Sequence, residues 1–146
     1  MLSIEIIFKQ PTKGTHAMYN LIFSSDRYDK PSLTNHKNAQ AVHDGLNSLG
    51  MHWRTAEGVF DGRLERSFIV CDLTWRQASQ LTKNICTLYN QDCVLVIDQI
   101  NGECILEHIT DVRARPVSIG HIAMQTDKPQ GDYTYDHTNQ VYYTVN

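Results

Sequence analysis

The sequence predicts an α+β domain of ferredoxin-like plan, a mainly antiparallel sheet with two helices on one face. Two stretches with helical spacing alternate with short β-forming runs in the order β(β)-α-β-β-α-β-β, the split β-α-β arrangement. Glycine-containing connections between consecutive runs read as hairpins, which pair strands antiparallel. The chain has 146 residues, 41% hydrophobic and 20% charged, and fits one domain. A domain of that size buries roughly 68–70% of its unfolded surface without disulfides or metal. The expected organisation is a single domain over 1–146, with a polar C-terminal extension from about 110.

Residues 3–9 and 17–25 are strand-like and separated by a loop holding Pro11 and Gly14. Asp26 to Pro31 is polar and breaks the pattern. Thr34 to Leu49 then carries Ala39, Val42, Leu46 and Leu49 at helical spacing, closed by Gly50. Strand candidates 51–57 and 65–72 follow, joined through Gly58 to Arg63 as a hairpin or a bulged corner. Thr74-Trp75-Arg76-Gln77 is a capping box, and Trp75, Ala78, Leu81, Ile85 and Leu88 form the inner stripe of the helix it opens. Val94 to Ile97 is a short run of β-formers entered directly from that helix. It reads as a buried central strand with polar Gln91 and Asp92 at its mouth. An Asn101-Gly102 turn leads into 103–109; 126–132 reads as loop, and Gln140 to Val145 as a closing strand.

Several function classes are excluded or left without support. A net charge of −3 with scattered Lys and Arg predicts no nucleic-acid binding. The N-terminus has no basic n-region, and no run reaches the ~20 apolar residues of a membrane span, so a cytoplasmic protein with no membrane partner is expected. The seven histidines show no H-x-x-x-H, H-x-H or H-E-x-x-H spacing, and the four cysteines no C-x-x-C. No metal site is expected, and the thiols read as free and buried in a reducing compartment. Phosphate-loop, dinucleotide and nucleophile-elbow motifs are absent. Two carboxylates remain. Glu65 lies where a glycine-flanked loop enters the strong strand Ser67-Phe68-Ile69-Val70, and Glu103 opens the strand after the Asn-Gly turn. Taken alone, both read as solvated strand-end acids.

Three blocks alter that reading of Glu65. They are Tyr19-Asn20-Leu21-Ile22-Phe23-Ser24, Thr34-Asn35-His36-Lys37, and Leu64-Glu65-Arg66-Ser67-Phe68-Ile69-Val70 taken with the second helix and Gln91-Asp92-Cys93-Val94-Leu95-Val96. In order and spacing, over roughly residues 17–100, the chain resembles the bacteriophage S-adenosylmethionine-cleaving enzymes, the SAMases or SAM lyases. The resemblance implies cleavage of S-adenosylmethionine (SAM) to 5′-methylthioadenosine and homoserine lactone or homoserine, which in phages depletes the methyl donor and counters restriction. It implies a homotrimer of PII-like subunits with ligand held between them, and SAM as substrate with no cofactor. The family's catalytic glutamate maps onto Glu65. Ser24, His36, Phe60, Gln91 and Glu103 are the expected substrate-binding residues. Phe60 stands in the loop where relatives can carry tyrosine, Glu103 is placed on position alone, and Ser24, Phe60 and Gln91 are assigned from location. Three alternatives stay open: a SAM hydrolase giving homoserine directly, a non-catalytic PII-like trimeric adenine-nucleotide sensor, and an antirestriction protein acting by direct contact.

Overall fold

A computed structural model describes residues 19–89, 91, 93–108 and 117–146. The strand expected over 3–9 and Asp92 lie outside the described residues. In chain order the elements are β1 (Tyr19–Ser24), α1 (Ser32–Ser48), β2 (Trp53–Phe60), β3 (Arg63–Leu73), α2 (Trp75–Tyr89), β4 (Cys93–Asp98), β5 (Glu103–His108), β6 (Val117–Gln125), β7 (Tyr133–Asp136) and β8 (Val141–Val145).

The strands form a closed antiparallel barrel in the order β1-β3-β2-β7-β8-β6-β5-β4. The expected open ferredoxin-like (PII-like) sheet is therefore overturned. In such a sheet β2 would be an edge. Here Ala56 to Val59 pair with Asp136 to Tyr133 of β7, and β5 pairs with β6 along Glu103 to Leu106. Strand β8 joins β6 to β7 and completes the circuit. Closure satisfies the backbone groups that two open edges would have left to solvent or to another chain. Of the three closing strands, β8 lies where a strand was expected, over Gln140 to Val145, whereas β6 and β7 escaped the sequence pattern for a physical reason. Gly120 (φ 132) interrupts the alternation of β6 at a register shift opposite Cys104, and a Cβ there would overlap the carbonyl of Asn146. Strand β7 has only 4 residues, too short to show a period.

Alternating side chains of the β1–β3–β4 wall divide the core into two clusters. Leu21, Phe23, Phe68, Val70, Val94 and Val96 point outward and pack with Val42 and Leu46 of α1 and Ala78, Leu81 and Ile85 of α2. Ile22, Ile69, Cys71, Ile97 and Cys104 point into the barrel with Ala56, and Ile122 and Tyr143 pack on them. The helices thus cover one wall of the barrel from outside.

Local chemistry explains the helix limits. The amides of Gly50 and Met51 return to Asn47 and Leu46 at 3.0 and 3.1 Å, a Schellman closure of α1. At the start of α2, Thr74 N–H donates to Gln77 Oε1 at 2.9 Å and Gln77 N–H to Thr74 Oγ1 at 3.1 Å, the expected capping box. The stretch read as a loop over Gly58 to Arg63 is strand nearly to its tip. Only Asp61 (φ 51) and Gly62 (φ 75) form the turn, both left-handed as a two-residue type I′ hairpin requires.

Candidate active site

The site is built where β1 ends and β3 begins. Ser24 is opposite Ser67 in the β1–β3 ladder, and Gly58 is opposite Glu65 in the β2–β3 ladder. Residues 63, 65, 67, 69 and 71 share the face of β3 whose buried members, Ile69 and Cys71, fill the barrel. Glu65 therefore stands on the barrel-facing side near one rim, half-buried, with no side chain on the Gly58 position beside it. A Cβ on Gly58 would come within 2.9 Å of Ser67 Oγ and would close the space beside the glutamate.

Burial pushes the Glu65 carboxyl above its ordinary value, the nearby negative charge of Asp26 pushes it further, and Arg63 opposes both. Arg63 is held in turn over the ring of Tyr28, 4.1 Å from its centroid.

Asp26 is the hub, and the sequence reading passed over it as part of a polar break. Its amide donates to Ser24 Oγ at 3.0 Å, and its carbonyl accepts from Gln91 Nε2 at 3.1 Å. Its carboxylate is bracketed by Arg66: Nε at 3.2 Å and the Arg66 amide at 3.0 Å reach Oδ2, and Nη2 at 3.1 Å reaches Oδ1. Arg66 Nη1 also lies 3.3 Å from His36 Nδ1. The loop after β1 is pinned to α1 by Asn35, whose Oδ1 accepts from Arg27 N–H at 2.9 Å and whose Nδ2 donates to the Arg27 carbonyl at 2.8 Å. An open cleft of about 640 Å³ lies on the α1 side of Asp26, lined by Asp26, Ser32, Leu33, His36, Leu64 and Arg66; Glu65, on the barrel-facing side of β3, is not among its lining residues.

Of the expected site residues, Ser24, His36, Glu65 and Gln91 meet around Asp26, each through a bond or charge already described. Ser24 Oγ also donates to the Arg66 carbonyl at 2.6 Å, so its hydroxyl proton is committed to tying β1 to β3. Phe60 lies at the tip of the β2–β3 hairpin, opposite Arg63 and 67% exposed, which leaves most of its ring free for a ligand. Glu103 is not brought to this group. Its neighbour Cys104 pairs with Ile97, Ile97 pairs with Asn20, and Asn20 accepts from the amide of Asp72, at the end of β3 remote from Glu65.

Asp26, Arg66 and Gly58 are the members that sequence reasoning missed. A basic residue directly after the candidate glutamate and an acid directly after a strand ending in two serines were the available signals. Neither residue specifies its partner across 40 positions of chain. Among the described residues, no group of three or more His, Cys, Asp or Glu is placed to hold a metal ion, and no helix is long and apolar enough to cross a membrane.

Comparison with known proteins agrees with the resemblance and extends it. No curated protein matches the chain. A family model for the S-Adenosylmethionine lyase family matches residues 21–146, taking in the site and all three closing strands of the barrel. A match over that much of the sequence shows membership: the chain belongs to the S-adenosylmethionine lyase family and is an enzyme that acts on S-adenosylmethionine.

Proposed function

We propose that this enzyme cleaves SAM to 5′-methylthioadenosine and L-homoserine lactone, with the substrate carboxylate attacking its own γ-carbon. The new C–O bond forms as the Cγ–S bond breaks, and the bonding pair leaves on sulfur as the neutral thioether of methylthioadenosine. A sulfonium is already a good leaving group, so the step needs neither a protein nucleophile nor a cofactor. One negative and one positive charge cancel on the way to the transition state, so a desolvated site favours it over the hydrated ground state. Holding the methionyl tail folded does most of the work, since well-oriented intramolecular attack can be worth ~7–11 kcal/mol.

The observation that carries this reading is Glu65: a half-buried carboxylate with no side chain beside it at Gly58, in a member of this family. We assign it the α-ammonium of the substrate, which it keeps from pairing with the attacking carboxylate. Phe60 is assigned to the adenine, and His36, Ser24 and Gln91 to the polar edge of the site. The reading extends to a homotrimer in the cytoplasm, that of the host if the protein is phage-encoded, where methyl-donor depletion would defeat restriction.

Incubation with SAM and chromatographic detection of methylthioadenosine is the test. Glu65→Gln is expected to keep the fold and lose about two orders of magnitude or more in turnover, as removal of a charged contact to the reacting substrate does. Turnover at wild-type rate in a soluble Gln variant would remove Glu65 from the mechanism. The hydrolase alternative is separated with ¹⁸O water. Lactone opening at its acyl carbon puts label in the homoserine carboxylate, whereas direct hydrolysis puts it in the side-chain hydroxyl, with Glu65 as general base.

A further inference from the structure

The Asp26–Arg66–His36 chain joins three parts of the fold, the loop after β1, the start of β3 and the first turns of α1. Its geometry constrains the imidazole. Arginine has five donors and no acceptor, so the 3.3 Å contact between Arg66 Nη1 and His36 Nδ1 requires Nδ1 to accept. With Nδ1 engaged as an acceptor, the ring proton of neutral His36 sits on Nε2, on a residue that lines the open cleft. Arg66 is kept from swinging away by its bracket on Asp26, whose side chain is only 14% exposed. Exposed Leu33 and Leu64 flank the same cleft, which gives it apolar edges beside a fixed donor. That combination suits a nucleoside better than the doubly charged methionyl tail.

We propose that Arg66 is a positioning residue: it holds His36 as the Nε2–H tautomer facing the cleft, where the imidazole donates to an acceptor on the adenosyl group of the substrate. The identity of the ligand rests on the lyase reading; the bridge itself does not. Arg66→Lys tests it, because an ammonium keeps a positive charge opposite Asp26 but lacks the fork that reaches both the carboxylate and the imidazole.

The readouts are the ¹⁵N–¹H spectrum of the His36 ring, calorimetric binding of 5′-methylthioadenosine, and SAM kinetics. The wild-type ring is expected to carry its proton on Nε2 with Nδ1 as acceptor. Arg66→Lys is expected to bind methylthioadenosine about tenfold more weakly and to raise KM for SAM by the same factor, with a much smaller change in kcat, as loss of one oriented hydrogen bond predicts. His36→Leu should match that loss. His36→Gln, which can place an amide N–H where Nε2–H stood, should recover at least half of it. A wild-type ring protonated on Nδ1, an Arg66→Lys enzyme that binds methylthioadenosine as tightly as the parent, or a Gln variant as poor as Leu would each overturn the inference. A wild type that binds methylthioadenosine in this way but leaves SAM intact would support the bridge and overturn the reaction.

Discussion

Burial and the charge of Asp26 favour the protonated form of Glu65, so this residue titrates differently in the folded and unfolded chain. The unfolded carboxyl ionises around its ordinary 4.5, whereas the folded one needs a higher pH. Between those values the folded state binds more protons than the unfolded state. Stability therefore falls as pH rises through that window and stays lower above it. Glu65→Gln removes the ionisable group, and the variant is expected to melt above wild type at pH 7. The difference should shrink towards zero as pH falls below 4.5, where both chains are neutral at this position. Thermal melts of the two proteins across pH 3.5 to 8 check it. A Gln variant that melts below wild type at neutral pH would mean that the carboxylate is a structural partner rather than a strained one. The same displacement should place the acid limb of kcat/KM above the range of an ordinary glutamate, since the ammonium needs the ionised form.

Between elements, the site depends on how the loop after β1 is held against α1. Asn35 makes the two hydrogen bonds that fix Arg27, the residue next to Asp26. Asn35→Ala leaves the part-buried Arg27 N–H to water and its carbonyl with the Lys30 amide alone, 3.3 Å away, at about 1 kcal/mol of stability. It is expected to raise KM for SAM several-fold with kcat changed much less; an unchanged KM beside a lowered melting point would show that the loop position is immaterial to binding. Asn35 also marks what the sequence disclosed. It belongs to the block whose resemblance led to the family, yet its bond to Arg27 joins a helix to a loop and leaves no periodicity to read. Elements that carry their own signal were legible: the inner stripe and capping box of α2, the closure of α1 near Gly50, and the apolar run of β4. Glu65 was legible as a candidate through the resemblance. Asp26 and Arg66 were not, because each is an ordinary surface residue until β1 and β3 pair and bring Ser24 opposite Ser67. Barrel closure was hidden for the same reason, since β6 and β7 gain their meaning only from the free edges of β5 and β2 that they cover.

At the scale of the molecule, the closure has a buried anchor. Asp136 ends β7 fully buried, and its Oδ2 accepts from Arg54 Nε at 2.8 Å, Tyr143 OH at 3.0 Å and Asn139 Nδ2 at 3.0 Å. Its Oδ1 accepts the amides of Thr138 and Asn139 at 3.0 and 3.2 Å, so one carboxylate joins β2, β7, β8 and the turn between the last two. Burial alone would push this carboxyl up, but the hydrogen bonds from Arg54, the Asn139 amide and Tyr143, with the Arg54 charge, hold it below its ordinary 3.8. A depressed carboxyl contributes stability that is present above its unfolded value and lost as pH falls through its folded one. Asp136→Ala strands Arg54, whose side chain is 21% exposed, against an empty socket. The expected cost is about 3 kcal/mol, the lower end for breaking a buried pair, because Arg54 retains some water. The distribution of that cost tests the barrel. In a closed circuit the variant should still unfold in one transition, with hydrogen exchange accelerated at Leu21, Ile69 and Val96 as well as at β7 and β8. Were β6 to β8 merely laid against an open sheet, exchange would quicken only in the C-terminal strands while the amides of β1, β3 and β4 kept their wild-type protection.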